Sequence, residues 1–180
     1  MQIREEIRIA TLVGSREAPF NICTLATLIG RKLASMNCIC RSGAADGMDL
    51  AFEAGFPDEL KEIYQPWRNF NDIETNGITH VVVADKAIIS KAEKIASKIH
   101  PLWDNMKQGS RKMHTRNMFQ VLGSNLDLKS DILICWAPID GKSITGGTRS
   151  AFELAKRLNI PCYNLIDQET REFFLKWIKT

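Results

Sequence analysis

Residues 131–165, DILICWAPIDGKSITGGTRSAFELAKRLNIPCYNL, decide the fold class. Asp131 to Trp136 is the most continuous apolar run of the chain, flanked by Ser130 and Pro138, and reads as a buried strand. The loop Asp140-Gly-Lys-Ser-Ile-Thr-Gly-Gly147 follows, and Ala151, Leu154, Ala155 and Leu158 then recur at the spacing of a helix with one buried face. Ile160 to Leu165 is a second apolar run of strand length. Neither run alternates cleanly between apolar and polar residues, as a strand with one wet face does. Strands buried on both faces and separated by helices belong to a parallel sheet covered on two sides.

The same order recurs upstream. Ile7 to Val13 ends in the turn Gly14-Ser15-Arg16, and Ile22, Leu25, Ala26, Ile29 and Leu33 mark a helix from Pro19 to about Met36. Cys38 to Arg41 runs into Ser42-Gly43-Ala44-Ala45-Asp46-Gly47 and a helix carrying Met48, Ala51 and Phe52. Leu60 to Tyr64 reads as a third strand, and Pro66 to Gly77 as irregular. In the middle, Ile88, Ala92, Ile95, Ala96 and Ile99 form an apolar stripe that stops before Pro101, because the residue before proline is biased away from helix. A second helix covers Arg111 to Leu122, and Asp167 is placed to cap a last one carrying Phe173, Phe174 and Trp177. The expected fold is α/β, a three-layer, doubly wound parallel sheet of about five strands in the order 3-2-1-4-5, with residues 1–180 as one domain.

At 180 residues, 44% hydrophobic and 25% charged, the composition is that of a globular domain, which excludes a disordered, collagen-like or low-complexity chain. No apolar run approaches the ~20 residues of a membrane span. Met1-Gln2-Ile3-Arg4-Glu5-Glu6 lacks the apolar stretch of a secretory signal, so a cytoplasmic location without a membrane partner is expected. The five cysteines, Cys23, Cys38, Cys40, Cys135 and Cys162, are odd in number and mostly set in apolar runs, which argues for free thiols. Cys38 and Cys40 share a strand face, but no second pair or nearby His completes a zinc site, and neither a metal nor a cofactor is expected. The net charge of +3 is too small to call for nucleic acid by itself.

Ligands of such sheets bind beyond the carboxyl ends of the strands, where the winding direction reverses. Glycine loops follow the first, second and fourth strands, and the first and fourth flank that point. Each glycine alone is accounted for by a turn. Three loops converging on one edge suit an anion instead, since glycine lets backbone N–H groups approach closely and helix N-termini attract negative charge. The candidate phosphate residues are Gly14, Ser15, Arg16, Ser42, Gly43, Gly146, Gly147, Thr148, Arg149 and Ser150. Asp49 either serves the helix dipole or orients the loop or a ribose hydroxyl, and Trp136, ending the fourth strand, is the candidate for base stacking. Trp67-Arg68-Asn69-Phe70 is a candidate pocket wall. Gly141-Lys142-Ser143 is not a Walker loop, because its first glycine would fall on Trp136, and no G-x-G-x-x-G follows the first strand.

Val13-Gly-Ser-Arg16, Ser42-Gly-Ala-Ala-Asp-Gly-Met-Asp49 and Gly146-Gly-Thr148, with Ala151 and Ile160-Pro161 beyond, resemble the SLOG superfamily, which unites the DNA-processing protein DprA (Smf) with the LOG-type nucleotide hydrolases. The first two pieces look most like DprA, and the similarity runs from the first strand to the fifth. It implies a Rossmann-like domain that binds phosphorylated nucleotides, nucleotide-derived signals or single-stranded DNA. Met113-His114-Thr115-Arg116-Asn117 is similar to the M-x-x-R-K of LOG enzymes, with Asn117 for the Lys. Laid over P-G-G-x-G-T-x-x-E without a gap, residues 145–153 put Glu153 on the family's catalytic Glu, with Thr145 for Pro, Arg149 for the third glycine and Ser150 for Thr. The resemblance thus implies Arg116 and Glu153 as catalytic residues of N-glycosidic hydrolysis. Read without it, Glu153 pairs with Arg157 one turn on, Arg116 shares a polar stripe with Lys112 and Gln120, and His114 is a helix-surface or structural residue. Arg116 to Gly123, R-N-x-x-Q-V-L-G, is similar to compact phage-encoded versions.

The leading expectation is a protein that binds a phosphorylated nucleotide or nucleotide-derived small molecule in the crevice between the first and fourth strands. Whether it hydrolyses a nucleoside monophosphate, as a LOG-like phosphoribohydrolase does, or sequesters a signal without turnover stays open. The alternative is a DprA-like single-stranded DNA-binding recombination mediator. The Ile88 to Ile99 stripe serves a core or a homo-oligomer equally well.

Overall fold

A computed structural model of the chain describes residues 6–141 and 143–180. Residues 1–5, which the signal-peptide argument used, and Lys142 of the rejected Walker loop lie outside the described residues. Six parallel strands form the main sheet: β1 (Ile9–Gly14), β2 (Ile39–Ser42), β3 (Lys61–Tyr64), β4 (His80–Val81), β5 (Ile132–Trp136) and, after the hairpin strands β6 (Ile139–Asp140) and β7 (Ser143–Ile144), β8 (Cys162–Asn164). Their spatial order is β4-β3-β2-β1-β5-β8. The expected order 3-2-1-4-5 is present as β3-β2-β1-β5-β8, and the sixth strand, β4, extends the edge beyond β3. Pairing is longest at the centre, from Ala10 opposite Ile132 to Gly14 opposite Trp136.

Helices cover both faces. On one, α1 (Phe20–Ser35), α2 (Met48–Glu53) and α6 (Gln168–Trp177) bury Ile29, Leu33, Phe52 and Phe174 against Ala10, Leu12, Ile132 and Ile134. On the other, α3 (Lys86–Ile99), α4 (Gln108–Leu122) and α5 (Arg149–Arg157) bury Ala96, Met118 and Ala155 against Val13, Leu133 and Cys135. Successive residues of β1 and β5 therefore serve opposite cores, which is why neither strand alternates in sequence. A large apolar side chain buried this fully contributes about 1.5–3 kcal/mol. The Ile88 to Ile99 stripe packs into the second core. Cys38 and Cys40 are buried in the first, and no helix among the described residues is long and apolar enough to cross a membrane.

Polar side chains tie the two central strands together. Asp131 Oδ2 accepts the N–H groups of Arg8 at 2.8 Å and Ile9 at 3.0 Å, just before β1 begins. Thr11 Oγ1, fully buried on β1, lies 2.7 Å from the carbonyl oxygen of Gln120 and 2.8 Å from Ser130 Oγ, which ties the strand to α4. Asp167 caps α6 by accepting from the Thr170 N–H at 2.8 Å.

Candidate functional site

The winding direction reverses between β1 and β5: the chain leaves β1 towards α1 and β2 on one side, and α3 and α4 return it to β5 on the other. A cavity of about 470 Å³ opens there at the carboxyl ends of the strands. Of the candidate residues, Gly14, Ser15, Arg16, Asp49, Arg116, Gly146, Gly147 and Thr148 line it. Ser42, Gly43, Trp136, Arg149, Ser150 and Glu153 do not.

Several of these absentees hold the lining residues in place. Ser42 Oγ donates to the Leu12 carbonyl at 2.6 Å and joins β2 to β1. The Trp136 carbonyl accepts the Ser15 N–H at 2.9 Å, while its indole packs against the first core. The Gly43 carbonyl accepts from Arg116 Nη1. A Cβ at Gly43 would lie 2.5 Å from Arg116 Cζ and closer still to Nη1, so glycine is what admits the guanidinium. Trp67 packs edge-on against Phe70, and neither lines the cavity.

Arg116 is 5% exposed. Its Nη1 also donates to the Tyr64 carbonyl at 3.0 Å, its Nε donates to Asn117 Oδ1 at 3.0 Å, and the guanidinium sits 5.8 Å from the centre of the Phe70 ring. Nη2 has no partner among the described residues, although it is not an enclosed unpaired atom. Burial lowers the Arg116 pKa to about 10, against the opposing pull of Asp49. Asp49 in turn accepts the Gly14 N–H at 2.9 Å, and burial raises its carboxyl to about 6 despite the nearby Arg116. Gln120 is 1% exposed, lines the cavity, and its side-chain amide has no hydrogen-bond partner among the described residues.

The third glycine loop is the open part of the wall. A Cβ at Gly146 or Gly147 would meet nothing within 4 Å, and Gly146 has φ of +75°, a region L side chains rarely adopt. The N–H groups of Gly147 and Thr148 have no acceptor among the described residues, and they precede the N-terminus of α5. Free donors at a helix N-terminus make a ready anion site. Asn117 fastens this loop to α4, donating from Nδ2 to the Gly147 carbonyl at 2.6 Å and to Ser150 Oγ at 3.0 Å.

Arg116 and Glu153 are not brought together. Glu153 Oε1 accepts from Ser143 Oγ at 2.8 Å and lines a separate cavity with Arg149, Lys156 and Arg157. Arg157 donates to the Lys98 carbonyl at 3.2 Å. Arg116 and Gln120 are both buried, so only Lys112 of their polar stripe is solvated. His114 also lies inside, at 6% exposure, lines the cavity and shares a 2.8 Å hydrogen bond between Nδ1 and Ser150 Oγ. Burial, followed by the nearby His100 and Arg116, lowers its pKa to about 4.

No protein family, curated protein or solved structure matches the chain.

Proposed function

We propose that the chain binds the phosphate of a nucleotide or nucleotide-derived small molecule in the cavity between β1 and β5. The observation that carries this reading is the pair of N–H donors at Gly147 and Thr148, unused among the described residues, in the same cavity as a buried arginine whose Nη2 has no partner among them. The phosphate sits at the loop and the start of α5, while Arg116, Gln120 and Asp49 face the rest of the ligand. A cavity of about 470 Å³ suits one small molecule, within the range of about 300–1,000 Å³ common for ligand sites. Glu153 is bonded to Ser143 outside this cavity, which favours binding without hydrolysis through that carboxylate.

The test is calorimetry with nucleoside monophosphates, ADP-ribose-type nucleotides and a short single-stranded oligonucleotide at two salt concentrations. The comparison variant is Gly147→Asp. Its Cβ has open space, so its unfolding midpoint stays at the wild-type value, while the added carboxylate repels phosphate and weakens binding at least tenfold, about 1.4 kcal/mol or more. Equal affinity in the variant, or no binding of any small nucleotide, overturns the reading. Binding of the oligonucleotide alone, falling steeply with salt, transfers it to single-stranded DNA. An assay for released base separates turnover from sequestration.

A further inference from the structure

Four side chains behind the third glycine loop form a directed chain of hydrogen bonds: Arg116, Asn117, Ser150 and His114. Arg116 Nε can only donate, so the atom of Asn117 that it meets at 3.0 Å is the carbonyl oxygen. The Asn117 amide nitrogen is thereby turned towards the Gly147 carbonyl and Ser150 Oγ, and both its protons are used. Ser150 Oγ is fully buried and accepts one of them. Among the described residues its own proton has one remaining neighbour, His114 Nδ1 at 2.8 Å. Were Nδ1 the protonated nitrogen, Ser150 would accept twice and its hydroxyl proton would be buried without an acceptor, at a cost of about 1–3 kcal/mol. Nδ1 therefore accepts, and the ring proton is on Nε2.

Nε2 itself has no hydrogen-bond partner among the described residues and is not among the enclosed unpaired atoms, while the imidazole lines the cavity. We propose that His114 is a specificity-determining donor of this site: its Nε2–H, aimed by Ser150, gives a phosphate oxygen a third hydrogen bond beside the N–H groups of Gly147 and Thr148. The proposal rests on the phosphate-binding reading of the cavity and adds to it a side chain and a protonation state. Neither the arginine nor the glycine motif of the sequence points to this residue. The donor is uncharged, because burial and the neighbouring His100 and Arg116 disfavour the imidazolium, so the ring's own capacity to donate is the same at pH 8 and pH 6.

The deciding measurement is long-range nitrogen–proton correlation of the histidine rings in ¹⁵N-labelled protein, free and titrated with inorganic phosphate and then adenosine monophosphate. Free wild-type protein shows His114 as the Nε2–H tautomer between pH 8 and pH 6, and phosphate shifts the Nε2 resonance. Ser150→Ala, which does not line the cavity, releases the ring to a mixture of tautomers and weakens phosphate binding. His114→Ala loses about tenfold in affinity, the worth of one good hydrogen bond. His114→Gln, whose amide nitrogen takes the place of Nε2, recovers most of it. An Nδ1–H tautomer or an imidazolium at pH 6 in the free protein refutes the relay, whatever binds. Phosphate that binds without moving His114, or equal affinity in His114→Ala, refutes the contact and leaves the cavity reading standing. Absence of any phosphate or nucleotide binding removes the cavity reading and this contact together, and the free-protein spectrum alone then judges the tautomer.

Discussion

Gly43→Ala tests the packing on which the site depends. The new Cβ would lie 2.5 Å from Arg116 Cζ, whereas carbon atoms in contact sit about 3.5–4.0 Å apart, so the guanidinium must retreat by at least about 1 Å. Its bond to Tyr64 starts at 3.0 Å and does not survive that shift, nor does the bond to Gly43 itself. Hydrogen bonds to a charged group contribute about 1.5–3 kcal/mol each, and partial relaxation into the cavity recovers some of the two, which leaves a loss of about 3 kcal/mol. In a domain of this size that lowers the melting temperature by about 6–12 °C. Urea unfolding of Gly43→Ala, Arg116→Met and the double variant separates this cause from others. With the guanidinium gone, the new Cβ still lies too close to Gln120 Nε2, the far end of a flexible side chain, so the alanine costs less than in wild type, and the difference is the coupling between the neighbouring sites. The reasoning fails if Gly43→Ala costs the same in both backgrounds.

His114→Gln carries a pH signature. The folded protein resists protonating His114 until about pH 4, whereas the unfolded chain takes up that proton near pH 6.5, so this residue's contribution to stability is lost as the pH falls through the window between them. The gap corresponds to about 3 kcal/mol at 1.36 kcal/mol per unit, and the stability of wild type relative to His114→Gln should fall by about that much between pH 6.5 and pH 4. A constant difference across the range would falsify the burial argument. Asp49 runs the other way: its carboxyl, raised to about 6 in the fold, makes the native state gain stability as pH falls from about 6 towards 3.8, which offsets much of the histidine effect in wild type. Asp131→Ala orphans the N–H groups of Arg8 and Ile9 and should cost about 1–3 kcal/mol in urea unfolding, with faster hydrogen exchange at Ile9. A loss below about 0.5 kcal/mol, the range of ordinary surface changes, would show that the strand start is held by its ladder alone.

The central strands were legible because each is an apolar run, closed by a glycine turn after β1 and β2 and by Pro138 after β5, and the helical patterns between them give a parallel order. β4 was not, since only His80 and Val81 join the ladder and one of them is polar. The β6–β7 hairpin escaped for the same reason: each strand has two residues, too few to show a period. At the site, the loops at 14–16 and 146–148 were readable from glycine chemistry. The helix α4 and its Arg116 were readable too, but the inward turn of its polar side chains was not, because residues 114–121 are all buried, His114, Asn117 and Gln120 among them. Hydrophobic periodicity assigns such polar residues to water, and only their partners on β2, β3 and the third loop show that they face inward. An ungapped alignment over residues 145–153 likewise carries no sign that Ser143 sits against the Glu153 carboxylate.

The sheet is bounded by its shortest members, β4 with two residues and β8 with three. A segment such as Ile132–Trp136, apolar and free of proline and charge, has the composition that stacks into fibrils when another chain reaches its backbone. Here it is paired on both sides, and an incoming strand meets only two or three residues of open hydrogen-bonding edge. Such brief edges give poor templates for intermolecular ladders, so the architecture that opens a crevice at the centre of the sheet also shields this apolar segment while the chain stays folded.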